Sequence, residues 1–296
     1  MKHLFIKLSA AIILLTVFSF LSFGADKYTL EYKLEKGKTF KNSTTVDMIA
    51  EMDAMGQVIK FGVISETVHQ FVVIGQSNDV FDMQLSFLKM KIEMDNPMMP
   101  IKFDSESPGS TGYDFKTIFG TPIDVQLSKT GKVVSVKGVE KLVEKSEIIT
   151  NEQIKQLVGS QFTEQVIKTS IEQSTNYFPG KPVEIGESWD VVTTAFSNGI
   201  DIIIKSKFTL KQVKDNVVTL ESKGTLSTPE GGAIMNAQGM DLKVSMKGEN
   251  SGTILVDLKT GWIIRSEISQ KNTQDIEVMG QTMQQQMEVK TIVVSE

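Results

Sequence analysis

The 296 residues carry 31 Lys and Arg against 36 Asp and Glu, a formal net charge of −5, and no Cys. An acidic chain whose only arginine is Arg265 lacks the basic surface and the bidentate donors on which nucleic-acid binding depends, and without Cys it can form neither a disulfide nor a thiolate metal site. Folding must rest on a packed core, which a chain of this length can build as one large or two smaller domains.

Residues 1–24 open with Met1, Lys2, His3 and Lys7 and continue in the apolar run LSAAIILLTVFSFLSFG, with Ser22 and Gly24 at the −3 and −1 positions of a cleavage point before Ala25. The pattern predicts a secretory signal peptide and a periplasmic or secreted mature chain that does not span a membrane. An uncleaved anchor is the alternative, since the run is nearly long enough to cross a bilayer.

The next segment, 25–138, is dominated by alternation. Val46, Met48, Ala50 and Met52 share one parity with acids between them, as in a strand with one buried face. Phe81, Met83, Leu85 and Phe87 are odd, whereas Leu88, Met90, Ile92 and Met94 are even, so a β-bulge is expected near Phe87 and Leu88. Strands of this length exceed the usual five or six residues and predict a tall, curved sheet.

Alternation is lost over 139–176. A short helix is expected at 139–147, then one amphipathic helix over 151–175, capped by Thr150 or Asn151, with Ile154, Leu157, Phe162, Val166 and Ile171 near a 3.6-residue period. Such a helix most simply covers the apolar face of the sheet.

The second β-rich half, 177–296, repeats features of the first in the same order. LEKGKTF (34–40) matches VEIGESW (183–189), SNDVFDMQL matches KDNVVTLES, and GTPIDVQLSKTGKVVSV matches GTILVDLKTGWIIRS. In both hairpins Lys-Thr-Gly precedes a β-branched pair, Val133-Val134 or Ile263-Ile264. These matches predict an internal duplication. The expected fold is mainly β: one or two long curved antiparallel sheets, half-barrel or sandwich-like, with a helical connector.

The segments FDSESP (103–108), GKVVSVKG (131–138) and above all FPGKPVEIGESW (178–189) resemble a family of exported β-rich bacterial proteins known only as a domain of unknown function. The resemblance covers almost the whole mature chain. It implies an extracytoplasmic protein of a Gram-negative envelope and brings no activity, ligand or catalytic residue. At the level of fold alone there is a looser analogy to half-barrel periplasmic lipid carriers.

No catalytic constellation is recognisable. After Ala25 the only imidazole is His69, and no His-Glu-x-x-His occurs. The GKT at 37–39 has Tyr32 where a phosphate loop needs Gly, and PGSTG at 108–112 is not Gly-x-Ser-x-Gly. The expectation is a non-enzymatic binding protein with no cofactor and no catalytic or metal site, its partner a lipid or another apolar small molecule.

Methionine is the unusual component, 15 in all. Its deformable side chain suits an adaptable apolar lining. The candidate ligand-binding residues are Met55, Met90, Met94, Met98, Met99, Met240, Met279 and Met283, with Phe162 from the helix. Several of these stand at predicted turns, and Met-Gly-Gln occurs at two of them, 55–57 and 279–281. Aligning the halves sets Ser197-Asn198-Gly199, not Met279, opposite Met55. Two alternatives accompany this reading. One is a structural or interaction protein of the envelope whose turn methionines form an apolar rim. The other is copper(I) binding by thioethers, which residues four apart on a strand, about 13 Å along it, do not favour.

Overall fold

The computed structural model describes residues 26–54, 56–96, 100–108, 118–146, 155, 159, 162–197, 199–237, 240–278 and 280–296. Strands β1 (Thr39–Ala54), β2 (Gln57–Ser77), β3 (Val80–Asp95), β4 (Ile101–Asp104), β5 (Ile123–Ser128) and β6 (Val133–Lys137) are followed by helices α1 (Glu140–Ser146) and α2 (Glu164–Thr175). Then come β7 (Ser188–Ser197), β8 (Ile200–Lys214), β9 (Val217–Ser227), β10 (Ala233–Ala237), β11 (Met240–Asp257), β12 (Ile263–Val278) and β13 (Gln281–Ser295). All pairings are antiparallel, in one open curved sheet of order β6-β5-β3-β2-β1-β13-β12-β11-β9-β8-β7, with β4 beside β3 and β10 beside β11.

The duplication is written into the pairing. The first half joins β1-β2-β3-β5-β6 and the second joins β7-β8-β9-β11-β12 in the same sequence, with β13 as the bridge between β12 and β1. The correspondence extends to single hydrogen bonds. Gly37 N–H donates to Val73 O at 2.8 Å and Gly186 N–H to Leu210 O at 2.7 Å, while Val73 N–H and Leu210 N–H return to Lys38 O and Glu187 O. Bulges recur as well. Register shifts insert Val134 in β6 and Ile264 in β12, so the first residue of each β-branched pair is buried and the second is turned outward.

The specific part of the family-like motif is therefore architectural. Gly186 closes the turn before β7, Lys181 pairs with Glu187 at 2.7 Å, and Trp189 Nε1 donates to Tyr177 O at 2.9 Å.

The strand order of the open sheet ends at β6 and β7, and α2 packs against both of these edge strands. Its side chains meet backbone donors on each: Glu172 Oε1 accepts from Val133 N–H at 3.0 Å, and Thr169 Oγ1 from Phe196 N–H at 3.4 Å. Unpaired edges invite association with other chains, and a helix laid across both removes that hazard. The helix corrects one expectation. Rather than running unbroken from 151 through 175, the chain is non-helical at Phe162 and Thr163, and Thr163 in an extended conformation accepts from Val166 N–H at 3.2 Å as the N-cap of α2; Thr150 and Asn151, the caps expected from the sequence, lie outside the described residues. A Thr hydroxyl competes well for N–H groups at a helix start, which outweighs the periodicity running through it.

One end of the curved sheet is plugged. The segment before β1 crosses it, with Tyr32 N–H donating to Lys129 O and Lys33 N–H to Thr260 O, each at 2.8 Å, so it ties together the two Lys-Thr-Gly hairpins. Tyr32, Tyr177, Phe178, Trp262, Phe40 and Phe71 pack there. The Tyr32 hydroxyl lies 2.9 Å from that of Tyr177, and Trp262 Nε1 donates to Asn42 Oδ1 at 3.1 Å. Burial holds both tyrosine hydroxyls well above their ordinary pKa. The plug is polar inside yet uncharged.

The other end carries the turns. Register places the β1–β2 (Ala54/Gln57), β7–β8 (Ser197/Ile200), β10–β11 (Ala237/Met240) and β12–β13 (Val278/Gln281) hairpin ends there, together with the ends of β3 and β4 (Asp95/Ile101). Met55, Met98, Met99 and Met279 lie outside the described residues, as do residues 1–24, where the sequence predicts a signal peptide; the strand ends that flank these four methionines share one end of the sheet.

Candidate functional site

Between the concave face and α2 lies a cavity of about 490 Å³, within the 300–1,000 Å³ usual for small-molecule sites. Its apolar wall is set by a single inserted residue. Val68 pairs with Lys89 but His69 with Phe87, so Leu88 is the extra residue of a bulge, at the position that the parity change in the sequence predicts. The bulge lets both Phe87 and Met90 face inward, where an unbroken strand would alternate them to opposite faces. Phe162 is 2% exposed and sits with its ring 5.6 Å from that of Phe87, and Val166 and Ile171 of α2 extend the same wall.

The second half adds apolar residues such as Ile204, Phe208 and Ile254, and among them a polar, uncharged row. Ser206, Gly224, Asn250 and Gln270 pair in one row across β8, β9, β11 and β12. Ser206, Asn250 and Gln270 line the cavity, and Gln270 Nε2 donates to Asn272 Oδ1 at 3.2 Å. Curvature here depends on small residues: a Cβ at Gly224 would lie 2.8 Å from Asn250 Oδ1, and one at Gly252 would lie 2.1 Å from Glu267 O. Asn250 Oδ1 is itself buried with no donor among the described residues.

His69 stands in the cavity wall, edge-on to Phe71 at 5.5 Å and tilted against Phe87 at 6.4 Å. Burial alone lowers its pKa to about 4, because an imidazolium there would give up its hydration. The unfolded chain takes the proton first, so stability present above about pH 6.5 is lost as pH falls and stops changing below about 4. The expected loss attributable to His69 is about 2 kcal/mol at pH 5. Urea unfolding of the protein and of His69→Gln at pH 7.5 and 5.0 measures it: the gap between the two should change by that amount, and equal pH dependence would refute the assignment.

Of the candidate ligand-binding residues, Met90 and Phe162 line the cavity. Met94 and Met283 are half-buried on the same concave face, nearer the turns, and Met240 opens β11 with its side chain outside the described residues. Sequence reasoning noted His69 only as a lone imidazole without a site role, and did not single out Ser206, Asn250 or Gln270. Among the described residues no group of three or more His, Cys, Asp or Glu is placed to hold a metal ion, and no helix is long and apolar enough to cross a membrane.

A family model described as a family of unknown function (DUF6263) matches residues 78–263, more than half the chain. No curated protein matches. Among solved structures, one of lipovitellin described for its lipid–protein interactions superimposes with TM-score 0.51 at 10% identity, over 89% of this chain and 25% of that one. The chain thus spans about a quarter of lipovitellin's length, and the likeness is one of fold. The translocator domain of the autotransporter NalP from Neisseria meningitidis (5% identity, 88% and 89% covered) and the OccK5 protein of Pseudomonas aeruginosa (5%, 88% and 98%) reach TM-scores of only 0.23 and 0.22, too low to carry an argument.

Proposed function

The chain belongs to that family of unknown function, DUF6263, and we propose that it is an exported, non-enzymatic carrier holding a lipid or other apolar small molecule between the concave sheet face and α2. The observation that carries the reading is the cavity: about 490 Å³, lined by apolar side chains that include Phe71, Phe87, Met90, Phe162 and Ile171 and by polar ones of which Glu172 is the one carboxylate among the described residues. Concave sites with apolar lining and sparse, placed polar groups are the usual form of small-molecule sites. Lipid–protein interactions are described for lipovitellin, which makes lipid the first ligand class to test. The leader-like residues 1–24 support export across the inner membrane of a Gram-negative cell.

A second reading, contact with an envelope protein, is favoured by one observation: the strand ends flanking Met55, Met98, Met99, Met240 and Met279 gather at the end opposite the aromatic plug.

Full-length protein exported in a Gram-negative host and analysed by native mass spectrometry should carry a non-protein mass released by organic solvent. The delipidated protein should take up a neutral fluorescent dye such as Nile red saturably, at one per chain. Absence of both would overturn the carrier reading.

A further inference from the structure

Resting on the carrier reading, we propose that the cavity selects uncharged amphiphiles, with a hydroxyl, carbonyl or amide as the polar group, and discriminates against fatty carboxylates. Among the described residues that line it there is no Lys or Arg. A buried carboxylate without a cation or several donors is strongly disfavoured, and such a ligand would have to bind as its neutral acid. The one side chain that could supply a positive charge, His69, is held neutral at ordinary pH by its apolar surroundings. The one carboxylate in the wall, Glu172, already accepts from the backbone of β6 and adds negative rather than positive field.

What the site does offer is neutral hydrogen bonding in one place. Ser206, Asn250 and Gln270 lie in one row within the second half's part of the lining, Ser222 adds a hydroxyl one row away, and Asn250 Oδ1 has no donor among the described residues. An alcohol or N–H-bearing amide head can exchange both donor and acceptor bonds with such a row, an ester can accept from it, and the chain can lie against Phe87, Met90 and Phe162.

The test is displacement of Nile red from the delipidated full chain by dodecanol, monolaurin and lauric acid, which share one chain length. At pH 7.5 dodecanol and monolaurin should compete at least about tenfold better than lauric acid. Lauric acid should gain on them as pH falls toward 5, where more of it is neutral. Gln270→Ala should weaken monolaurin more than it weakens the dye. Thr291→Lys, which places a cation beside Val46 and Ile268, should move the preference toward the acid; the comparison at Gln270 remains decisive if that variant does not fold. Equal or tighter binding of laurate at pH 7.5 would overturn the charge argument and leave the carrier reading standing. Failure of every ligand and of the dye would overturn both.

Discussion

Gly131→Ala and Gly261→Ala are each expected to cost about 4 kcal/mol of folding stability. Both residues adopt left-handed backbone, φ +93° and +74°, which alone costs an L-residue about 1–2 kcal/mol. Space adds the rest. A Cβ at Gly131 would lie 1.8 Å from Thr175 O, and one at Gly261 would lie 2.4 Å from Glu31 O. The obstacle is main chain in both cases, so no side-chain rotation relieves it. Moving those segments would break the plug, since Thr175 Oγ1 donates to Gly131 O at 2.7 Å and Tyr32 N–H to Lys129 O at 2.8 Å. Gly280→Ala is the control, because Gly280 has φ +77° with nothing within 4 Å of its added methyl. It should cost about 1 kcal/mol. Urea midpoints for the three variants decide the matter: equal losses at 131, 261 and 280 would mean that the hairpins are not locked against the crossing segment.

These glycines also mark how far the sequence could be read. Two Lys-Thr-Gly hairpins with β-branched pairs predict a duplication, and the parity change at Phe87 and Leu88 predicts the bulge, because both are local patterns with one geometric solution. The insertion of β13 between β1 and β12 has no such local sign. It depends on pairing residues as distant as Asn42 and Ser295, and alternation sets which face a strand buries without naming its neighbour. The helical insert was legible as a whole, but its break at Thr163 was not, because Phe162 fits the 3.6-residue period although it stands outside α2.

The site was half legible for a related reason. Met90 and Phe162 were found through their apolar character, and both line the cavity. Asn250 and Gln270 were missed because a polar residue in an alternating strand reads as solvent-facing. One signal was available: Asn250 is in phase with Val244, Ile254 and Val256 of the same strand, all buried. A polar residue on the apolar parity, flanked two positions away by Gly248 and Gly252, marks an inward polar group at a tight bend.

Filling the cavity separates binding from folding. Thr291 lies on β13 between Val46 of β1 and Ile268 of β12, half-buried and facing the void. Thr291→Phe is expected to leave stability within about 1 kcal/mol, because the ring enters empty space instead of displacing packed atoms. It would occupy the room of roughly four ligand methylenes, worth about 3 kcal/mol of apolar burial, and so weaken dye or lipid binding roughly 100-fold. Thr45→Phe adds the same ring to β1 on the opposite face and should change neither binding nor stability by more than a small margin. If Thr291→Phe binds as tightly as the parent, the ligand lies elsewhere, and the turn-bearing end of the sheet becomes the surface to probe. If it unfolds while Thr45→Phe does not, the space beneath α2 is too small to accept a ring, and a chain-bearing ligand could not have entered it either.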